Sequence, residues 1–154
     1  MSIIVDRFNK IKSYINNEDI TIIAVSKTFS FDYIAPLIEA GHLHFGENKV
    51  QEAESKWKKL KSEPNKIKLH LIGKLQSNKS KKAVELFDYI HSLDSQKLAD
   101  SLEKYEKSLN KKLKYFIQVN VGMENQKSGI PPNAIDDFYN YCTKEKNLQI
   151  IGLM

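Results

Sequence analysis

Residues 19–28 read Asp-Ile-Thr-Ile-Ile-Ala-Val-Ser-Lys-Thr, and the rest of the chain is arranged around this stretch. The nearly unbroken β-branched run from Ile20 to Val25 predicts a strand buried on both faces, as in a parallel sheet. Lys27 follows this run, so its ammonium group is expected at the edge of an apolar interior.

Lys27 is therefore a candidate for chemistry. Desolvation disfavours the charged form of an amine, so we expect a lowered pKa for Lys27 and some free amine near neutrality. A free amine is the group that condenses with a carbonyl compound to form a Schiff base. For a single strand-end lysine, however, exposure to solvent or pairing with a carboxylate is the commoner arrangement.

The composition is typical of one globular domain. The chain has 154 residues, of which 41% are hydrophobic and 28% charged, which is enough for one real core. No apolar run approaches the ~20 residues that span a bilayer, and the N-terminus has no export-signal pattern. Cys142 is the single cysteine and cannot form an internal disulfide. We expect a cytoplasmic protein with no membrane partner.

The positive charge does not indicate nucleic-acid binding. The net charge is +5, but Arg7 is the only arginine, and base-specific readout favours the bidentate guanidinium group. The lysine-rich stretches 56–61, 79–82 and 111–114 are predicted to lie on solvated helix faces or at helix ends. We therefore expect no nucleic-acid partner.

Strand and helix patterns alternate along the chain. A helix is predicted over residues 2–16, and each of the following strands except the last precedes another helix. Six strands are predicted, over residues 20–25, 42–47, 67–72, 89–92, 113–121 and 148–154. This alternation indicates a parallel α/β sheet with right-handed crossovers.

Two architectures fit this pattern. A doubly wound open sheet is complete in about 150 residues, and length alone favours it. A (β/α)8 barrel of the TIM type needs eight strands and about 250 residues, so this chain would hold about six of its eight units. No phosphate-binding glycine fingerprint follows the first strand, and the chain stops within the sixth strand. An incomplete barrel is therefore plausible.

Polar clusters follow three of the strands, at residues 26–28, 46–48 and 73–79. The carboxyl ends of parallel strands share one face of a sheet, and ligands bind at that face. Each cluster alone has a structural explanation, because Asn48 can be a helix N-cap and Gly46 and Gly73 permit tight turns. Three clusters on one face beside a strand-end lysine are better explained by a binding site.

Ordered motifs from residue 24 onward resemble those of the pyridoxal-phosphate homeostasis proteins, whose barrel is similar to that of alanine racemase. The motifs are Ala24-Val25-Ser26-Lys27-Thr28, Phe45-Gly46-Glu47-Asn48, His70-Leu71-Ile72-Gly73-Lys74-Leu75-Gln76-Ser77-Asn78-Lys79, Ile90-His91-Ser92-Leu93-Asp94-Ser95, Lys127-Ser128-Gly129 and Gly152-Leu153-Met154. Together they are far more specific than any one of them, and they favour the barrel.

The resemblance implies a cofactor, pyridoxal 5′-phosphate, and assigns residues to it. Lys27 matches the lysine that holds the cofactor as an internal aldimine, Asn48 matches a residue of the cofactor pocket, and Met154 matches a methionine near the cofactor. His70 and Lys127 fall in family motifs without an assigned role, and a histidine between two leucines is more often a packed strand residue. The implied function is storage or delivery of the cofactor, with pyridoxal-phosphate-dependent apoenzymes as possible partners.

The chain also departs from the family pattern. In the family, small residues and an arginine on the seventh and eighth strands hold the phosphate and face the pyridine nitrogen, and no residue here matches them. We therefore expect residues 1–154 to form one cofactor-binding barrel domain that lacks its last two strands, monomeric if complete and prone to association if truncated. The alternative function is an amino-acid racemase of the same fold, which needs bases on both faces of the cofactor. Lys27 could supply one, but in such racemases the other comes from a partner's additional domain, which nothing in this chain resembles.

Overall fold

Parallel strands alternate with α-helices throughout residues 2–125 and 127–154, the part of the chain that the computed structural model describes. The strands are β1 (Ala24–Val25), β2 (His44–Glu47), β3 (Lys68–Leu71), β4 (Tyr89–Leu93), β5 (Lys114–Ile117) and β6 (Gln149–Leu153). The helices are α1 (Ile3–Ile15), α2 (Phe31–Glu39), α3 (Val50–Lys61), α4 (Ser80–Leu86), α5 (Gln96–Leu109) and α6 (Ile135–Asn140). Single turns of 3-10 helix precede α4 and α6, and a π-helical turn follows α6.

The strands form one sheet in the order β1-β2-β3-β4-β5-β6, with every neighbouring pair parallel. A doubly wound sheet reverses its strand order at a switch point, whereas a barrel wall keeps sequence order. The prediction of an incomplete TIM-type barrel is confirmed, and the open-sheet alternative is wrong. In the described sheet β1 and β6 are the two edges, so its carboxyl ends form one curved row from β1 to β6.

The outer face of the sheet packs against the helices. Phe45, Leu69, Ile90 and Tyr115, one from each of four neighbouring strands, are fully buried. Phe45 contacts Trp57 of α3, with ring centroids 5.1 Å apart. The opposite, inner face carries the alternate residues of each strand.

The first strand differs from its prediction. Only Ala24–Val25 is a strand, and Ile20 and Val25 are 51% and 47% exposed. The expected burial on both faces is wrong because β1 lies at an edge of the described sheet and pairs there with β2 alone. A run of β-branched residues predicts an extended conformation, but it does not distinguish an edge strand from a central one.

Several lysines predicted to be solvated are partly buried instead. The side chain of Lys56 is 7% exposed and that of Lys61 is 17% exposed. The ammonium of Lys111 donates to the carbonyl oxygens of Val84 (2.7 Å) and Phe87 (2.9 Å) at the end of α4. Burial lowers the pKa of Lys111. These lysines serve to join elements of the fold.

None of the helices in the described part of the chain has the length and apolar character needed to cross a membrane.

Candidate functional site

Lys27 lies just beyond the carboxyl end of β1, as predicted. Its side chain is exposed, so the desolvation expected from the sequence is not provided by the described residues. The reason is again the edge position of β1, which leaves Lys27 open to solvent on one side. Within residues 2–125 and 127–154 no salt bridge engages Lys27. The Lys27 amine is therefore accessible and is not held by a carboxylate.

The residue before Lys27 is held tightly. Ser26 is 1% exposed, and its backbone N–H donates to the carbonyl oxygen of Gly46 at 2.9 Å. Its hydroxyl donates to Oε1 of Glu47 at 2.7 Å, and its carbonyl oxygen accepts from Nζ of Lys56 at 2.6 Å. Ser26 is thus fixed to both β2 and α3.

The residue after Lys27 has an unusual backbone. Thr28 has φ 66°, in the left-handed region, which a β-branched residue rarely adopts and which costs on the order of 1–3 kcal/mol. Its backbone N–H donates to Oε1 of Glu52 at 2.5 Å. The same Glu52 oxygen lies 3.5 Å from Nζ of Lys56. Helix α3 therefore holds the chain on both sides of Lys27.

Glu47 connects these contacts. It is fully buried, and its Oε1 accepts from Ser26, from Nζ of Lys56 (2.8 Å) and from Nε1 of Trp57 (2.8 Å). Oε2 of Glu47 has no hydrogen-bond partner in the described chain. A buried carboxylate is tolerated when a cation and hydrogen bonds compensate it, and here Lys56 supplies the charge.

Asn48 lies at the carboxyl end of β2, and Gly73 follows β3. A Cβ added to Gly73 would come within 2.1 Å of the Asn48 carbonyl oxygen and 2.5 Å of Asn48 Oδ1. Helix α3 begins at Val50 with Lys49 as its N-cap and without a side-chain cap. The predicted capping role of Asn48 is therefore wrong, because the helix begins one residue later. The second and third polar clusters meet at this contact.

Met154 and Lys27 both lie at carboxyl ends of strands. Met154 follows β6 and Lys27 follows β1, so they lie at opposite ends of the row of strand ends. The backbone N–H of Met154 donates to Ile117 O (2.9 Å), its carbonyl oxygen accepts from Val119 N (2.8 Å), and the residue is 43% exposed. Strands β2 to β5 separate β6 from β1. The structure thus brings Lys27 and Asn48 to adjacent strand ends and places Met154 at the end of a strand that is adjacent to neither β1 nor β2.

The loop after β5 carries Lys127 on the same face. Lys127 is exposed and its ammonium lies 3.2 Å from a carboxylate oxygen of Glu124. The backbone N–H of Gly129 donates to Asp94 at the end of β4 at 3.2 Å. The loop is thereby tied to the carboxyl edge, and Lys127 lies in it as a solvated residue.

Three imidazoles form a hydrogen-bonded chain on the inner face of the sheet. Nδ1 of His44 lies 2.9 Å from Nε2 of His70, and Nδ1 of His70 lies 2.9 Å from Nε2 of His91. His70 stacks on Tyr89 with ring centroids 4.1 Å apart, and His91 stacks on Phe116 at 4.2 Å. His70 is 3% exposed, so its prediction as a packed strand residue is confirmed.

Burial keeps the inner histidines neutral. Desolvation, followed by the neighbouring His91 and His44, lowers the pKa of His70 to about 3. Desolvation lowers the pKa of His91 to about 4. A neutral imidazole has one N–H donor and one acceptor nitrogen, so the hydrogen bonds between the three rings can all run in the same direction along the chain. In the described residues no group of three or more histidine, cysteine or acidic side chains is arranged to hold a metal ion.

The sequence did not indicate two features of this region. Lys56 was one lysine among several in a helix, and only the fold shows that it faces Ser26 and Glu47. The histidine chain had a weak signal, since His44, His70 and His91 each occupy a predicted strand, but the register that aligns them was not predictable.

Comparisons with known proteins place the chain in a family. The family described as "Alanine racemase, N-terminal domain" matches residues 2–154. Proteins named "Pyridoxal phosphate homeostasis protein" are similar to it: that of Pasteurella multocida is 38% identical over 135 residues, which are 88% of this chain and 58% of the relative. That of Escherichia coli K12 is 38% identical over 138 residues, 89% of this chain and 59% of the relative. The chain thus spans about three fifths of the length of these curated relatives.

Solved structures agree. PipY of Synechococcus elongatus without PLP superposes with a TM-score of 0.88 at 38% identity, covering 97% of this chain and 68% of PipY. PipY with PLP bound gives a TM-score of 0.85 over the same shares. An alanine racemase of Clostridium difficile, 16% identical with a TM-score of 0.72, covers 96% of this chain and 38% of the racemase and shares its fold. The resemblance found in the motifs is confirmed, and the chain belongs to the alanine racemase N-terminal domain family.

Proposed function

We propose that this chain binds pyridoxal 5′-phosphate through Lys27 and takes part in keeping the cofactor available in the cell. The observation that carries the proposal is the state of Lys27: an exposed amine at the carboxyl edge of the sheet, unpaired within the described chain, between two residues held by α3. The cofactor carries a reactive aldehyde. Lys27 would hold the cofactor through this aldehyde, by addition of its amine to the carbonyl carbon with loss of water.

The relatives support this assignment of the cofactor. Their name is pyridoxal phosphate homeostasis protein, and PipY was solved with PLP bound. The residues of this chain fit such a ligand, because the Lys27 amine is accessible and the Asn48 side chain beside it is not used as a helix cap. Asn48 offers an amide for hydrogen bonding to the ligand.

We place Met154 at the far end of the same ligand-binding edge, where its thioether offers a soft apolar contact. Because Met154 directly follows β6, it would contact a ligand that reaches across the interior of the barrel from Lys27. We propose that residues 1–154 act as one cofactor-binding barrel unit.

The role we favour is that of a carrier. While held on Lys27 the aldehyde would be masked from other amines, and an incoming amine would take over the C=N bond and leave the Lys27 amine free. Recipients would be pyridoxal-phosphate-dependent apoenzymes. Cys142 is buried, and desolvation raises the pKa of its thiol to about 12, so it is unreactive. A free thiol accords with the reducing cytoplasm in which we place the protein.

The test is a titration of the chain with pyridoxal 5′-phosphate, followed by imine absorbance, in the parent and in Lys27→Ala. The matched control is Lys104→Ala, because Lys104 is an exposed lysine on α5, outside the polar clusters. We expect the imine signal to disappear in Lys27→Ala and to persist in Lys104→Ala. Equal signals in the parent and Lys27→Ala would overturn the assignment.

A second measurement separates the carrier from the racemase alternative. The loaded chain is mixed with an apoenzyme or, separately, with a single enantiomer of an amino acid. A carrier restores activity to the apoenzyme and leaves the optical activity of the amino acid unchanged. Loss of optical activity that depends on Lys27 would favour the racemase instead.

A further inference from the structure

We infer that Glu52 and Lys56 of α3 are positioning residues for Lys27, acting through the backbone on either side of it. The inference rests on the proposed function, because the orientation of the Lys27 amine matters only if that amine reacts with the cofactor. Neither residue touches the amine itself in the described contacts; each holds the main chain from which the Lys27 side chain extends.

The contacts form a bracket around Lys27. On the N-terminal side, Nζ of Lys56 donates to the Ser26 carbonyl oxygen at 2.6 Å. On the C-terminal side, Oε1 of Glu52 accepts from the Thr28 N–H at 2.5 Å. The two arms are linked, because Lys56 and Glu52 are one helical turn apart and 3.5 Å from each other.

The strained backbone of Thr28 is a second, independent observation. A β-branched residue at φ 66° persists only when its surroundings impose that conformation, and such strain is concentrated at functional sites. The Glu52 carboxylate imposes it here, since it accepts the N–H of that residue. Without this acceptor Thr28 is expected to relax towards negative φ, and the direction of the Lys27 side chain changes with it.

Helix α3 also supplies a matched comparison. Glu54 and Lys58 form a pair with the same spacing at 3.9 Å, but they do not contact residues 26–28 in the described structure. The side chains of Glu52 and Glu54 are similarly exposed, at 31% and 28%. Glu54 also pairs with Lys82 of α4 at 2.9 Å, so its removal costs two ion pairs but leaves the bracket around Lys27 intact.

The experiment compares Glu52→Ala, Glu52→Gln and Glu54→Ala in the 154-residue chain. Pyridoxal 5′-phosphate is added, the products are reduced with borohydride at timed intervals, and adducts at Lys27 and at other lysines are quantified by peptide mass spectrometry. We expect Glu52→Ala to slow adduct formation at Lys27 on the order of tenfold to a hundredfold, as misplacement of a reacting group does. Glu52→Gln keeps an acceptor for the Thr28 N–H and should retain most of the rate, as should Glu54→Ala.

The contact between Lys56 and the Ser26 carbonyl oxygen can be tested without leaving the buried Glu47 carboxylate unpaired. The double variant Glu47→Gln/Lys56→Met removes the cation and its buried carboxylate together, and it should slow the Lys27 adduct while the rates at other exposed lysines stay unchanged. A general loss of folding would change all lysines alike. The ratio of the adduct rate at Lys27 to the rates at the other exposed lysines is therefore the quantity that reports on positioning.

A readout without cofactor completes the test. In the Glu52→Ala chain alone, the Thr28 amide should exchange its hydrogen at least tenfold faster, while exchange in the middle of α3 stays unchanged. Thr28→Asn in the same background should restore part of the adduct rate, because asparagine adopts positive φ readily. Parent-like adduct rates and parent-like Thr28 exchange in Glu52→Ala would overturn the inference. An absence of Lys27 adduct in the parent chain would instead overturn the proposed function.

Discussion

The histidine chain makes the stability of this fold dependent on pH above the range in which carboxylates titrate. His70 and His91 are neutral in the folded chain, since burial lowers the pKa of His70 to about 3 and that of His91 to about 4 from the ordinary 6.5. In the unfolded chain both rings bind a proton as the pH falls through 6.5. The unfolded state therefore binds more protons, and the free energy of unfolding decreases as the pH is lowered.

The size of the effect follows from these pKa values. At pH 5 the folded state is still unprotonated at both rings, and the distance from the unfolded pKa of 6.5 is 1.5 pH units for each. One pH unit corresponds to about 1.4 kcal/mol, so each histidine removes about 2 kcal/mol and the pair about 4 kcal/mol. This is a large part of the 5–15 kcal/mol typical of a domain. Burial also lowers the pKa of His42 and His44, which acts in the same direction.

Urea denaturation of the chain between pH 7.5 and pH 5 measures this loss. The comparison variant is His70→Gln, whose amide can both donate and accept in the place of the central ring. We expect the parent to lose about 4 kcal/mol over this range and His70→Gln to lose about 2 kcal/mol less than the parent. A parent chain of constant stability across this range, or a variant with the parent's pH slope, would refute the reasoning.

Other variants test the contacts around Lys27 by urea denaturation. Gly73→Ala places a methyl group 2.1 Å from the Asn48 carbonyl oxygen and is expected to cost about 1–3 kcal/mol through overpacking; parent-like stability would contradict the contact. Lys56→Met leaves the buried Glu47 carboxylate without its cation, at a cost of about 3–5 kcal/mol, and the added change Glu47→Gln should recover part of it. Trp57→Ala empties a fully buried site and should cost about 3–5 kcal/mol, whereas a loss below 1 kcal/mol would contradict its place in the core.

Local pattern was sufficient to predict the order and type of the elements. The helix predicted over residues 2–16 is α1, which is found at Ile3–Ile15. The position of Lys27 after a β-branched run was predicted for the same reason. Both depend on neighbours within a few residues, so sequence alone determines them.

Long-range packing decided what the sequence could not show. The exposure of Val25 depends on whether another strand pairs beyond β1, and the burial of Lys56 depends on the helix face that meets Ser26. The His70–His91 contact depends on the register of β3 against β4. None of these can be deduced from hydrophobic periodicity, which gives the faces of an element but not its partner.

The capping of α3 illustrates a narrower limit. Asn48 followed by Gln51 fits the capping-box pattern, yet the helix begins at Val50 after Lys49. The close approach of Gly73 to Asn48 places a tertiary contact where local propensity favours a cap. Such a conflict between local preference and observed structure is expected where a residue serves a site.

We propose that the Lys27 amine is the group that takes up the cofactor. The most direct measurement is borohydride reduction of the chain after incubation with pyridoxal 5′-phosphate, followed by peptide mapping of every lysine. We predict a pyridoxyl group on Lys27 well in excess of that on exposed lysines such as Lys104, which lies on α5 away from the carboxyl edge. Adducts spread evenly over the exposed lysines, or an unmodified Lys27, would contradict it.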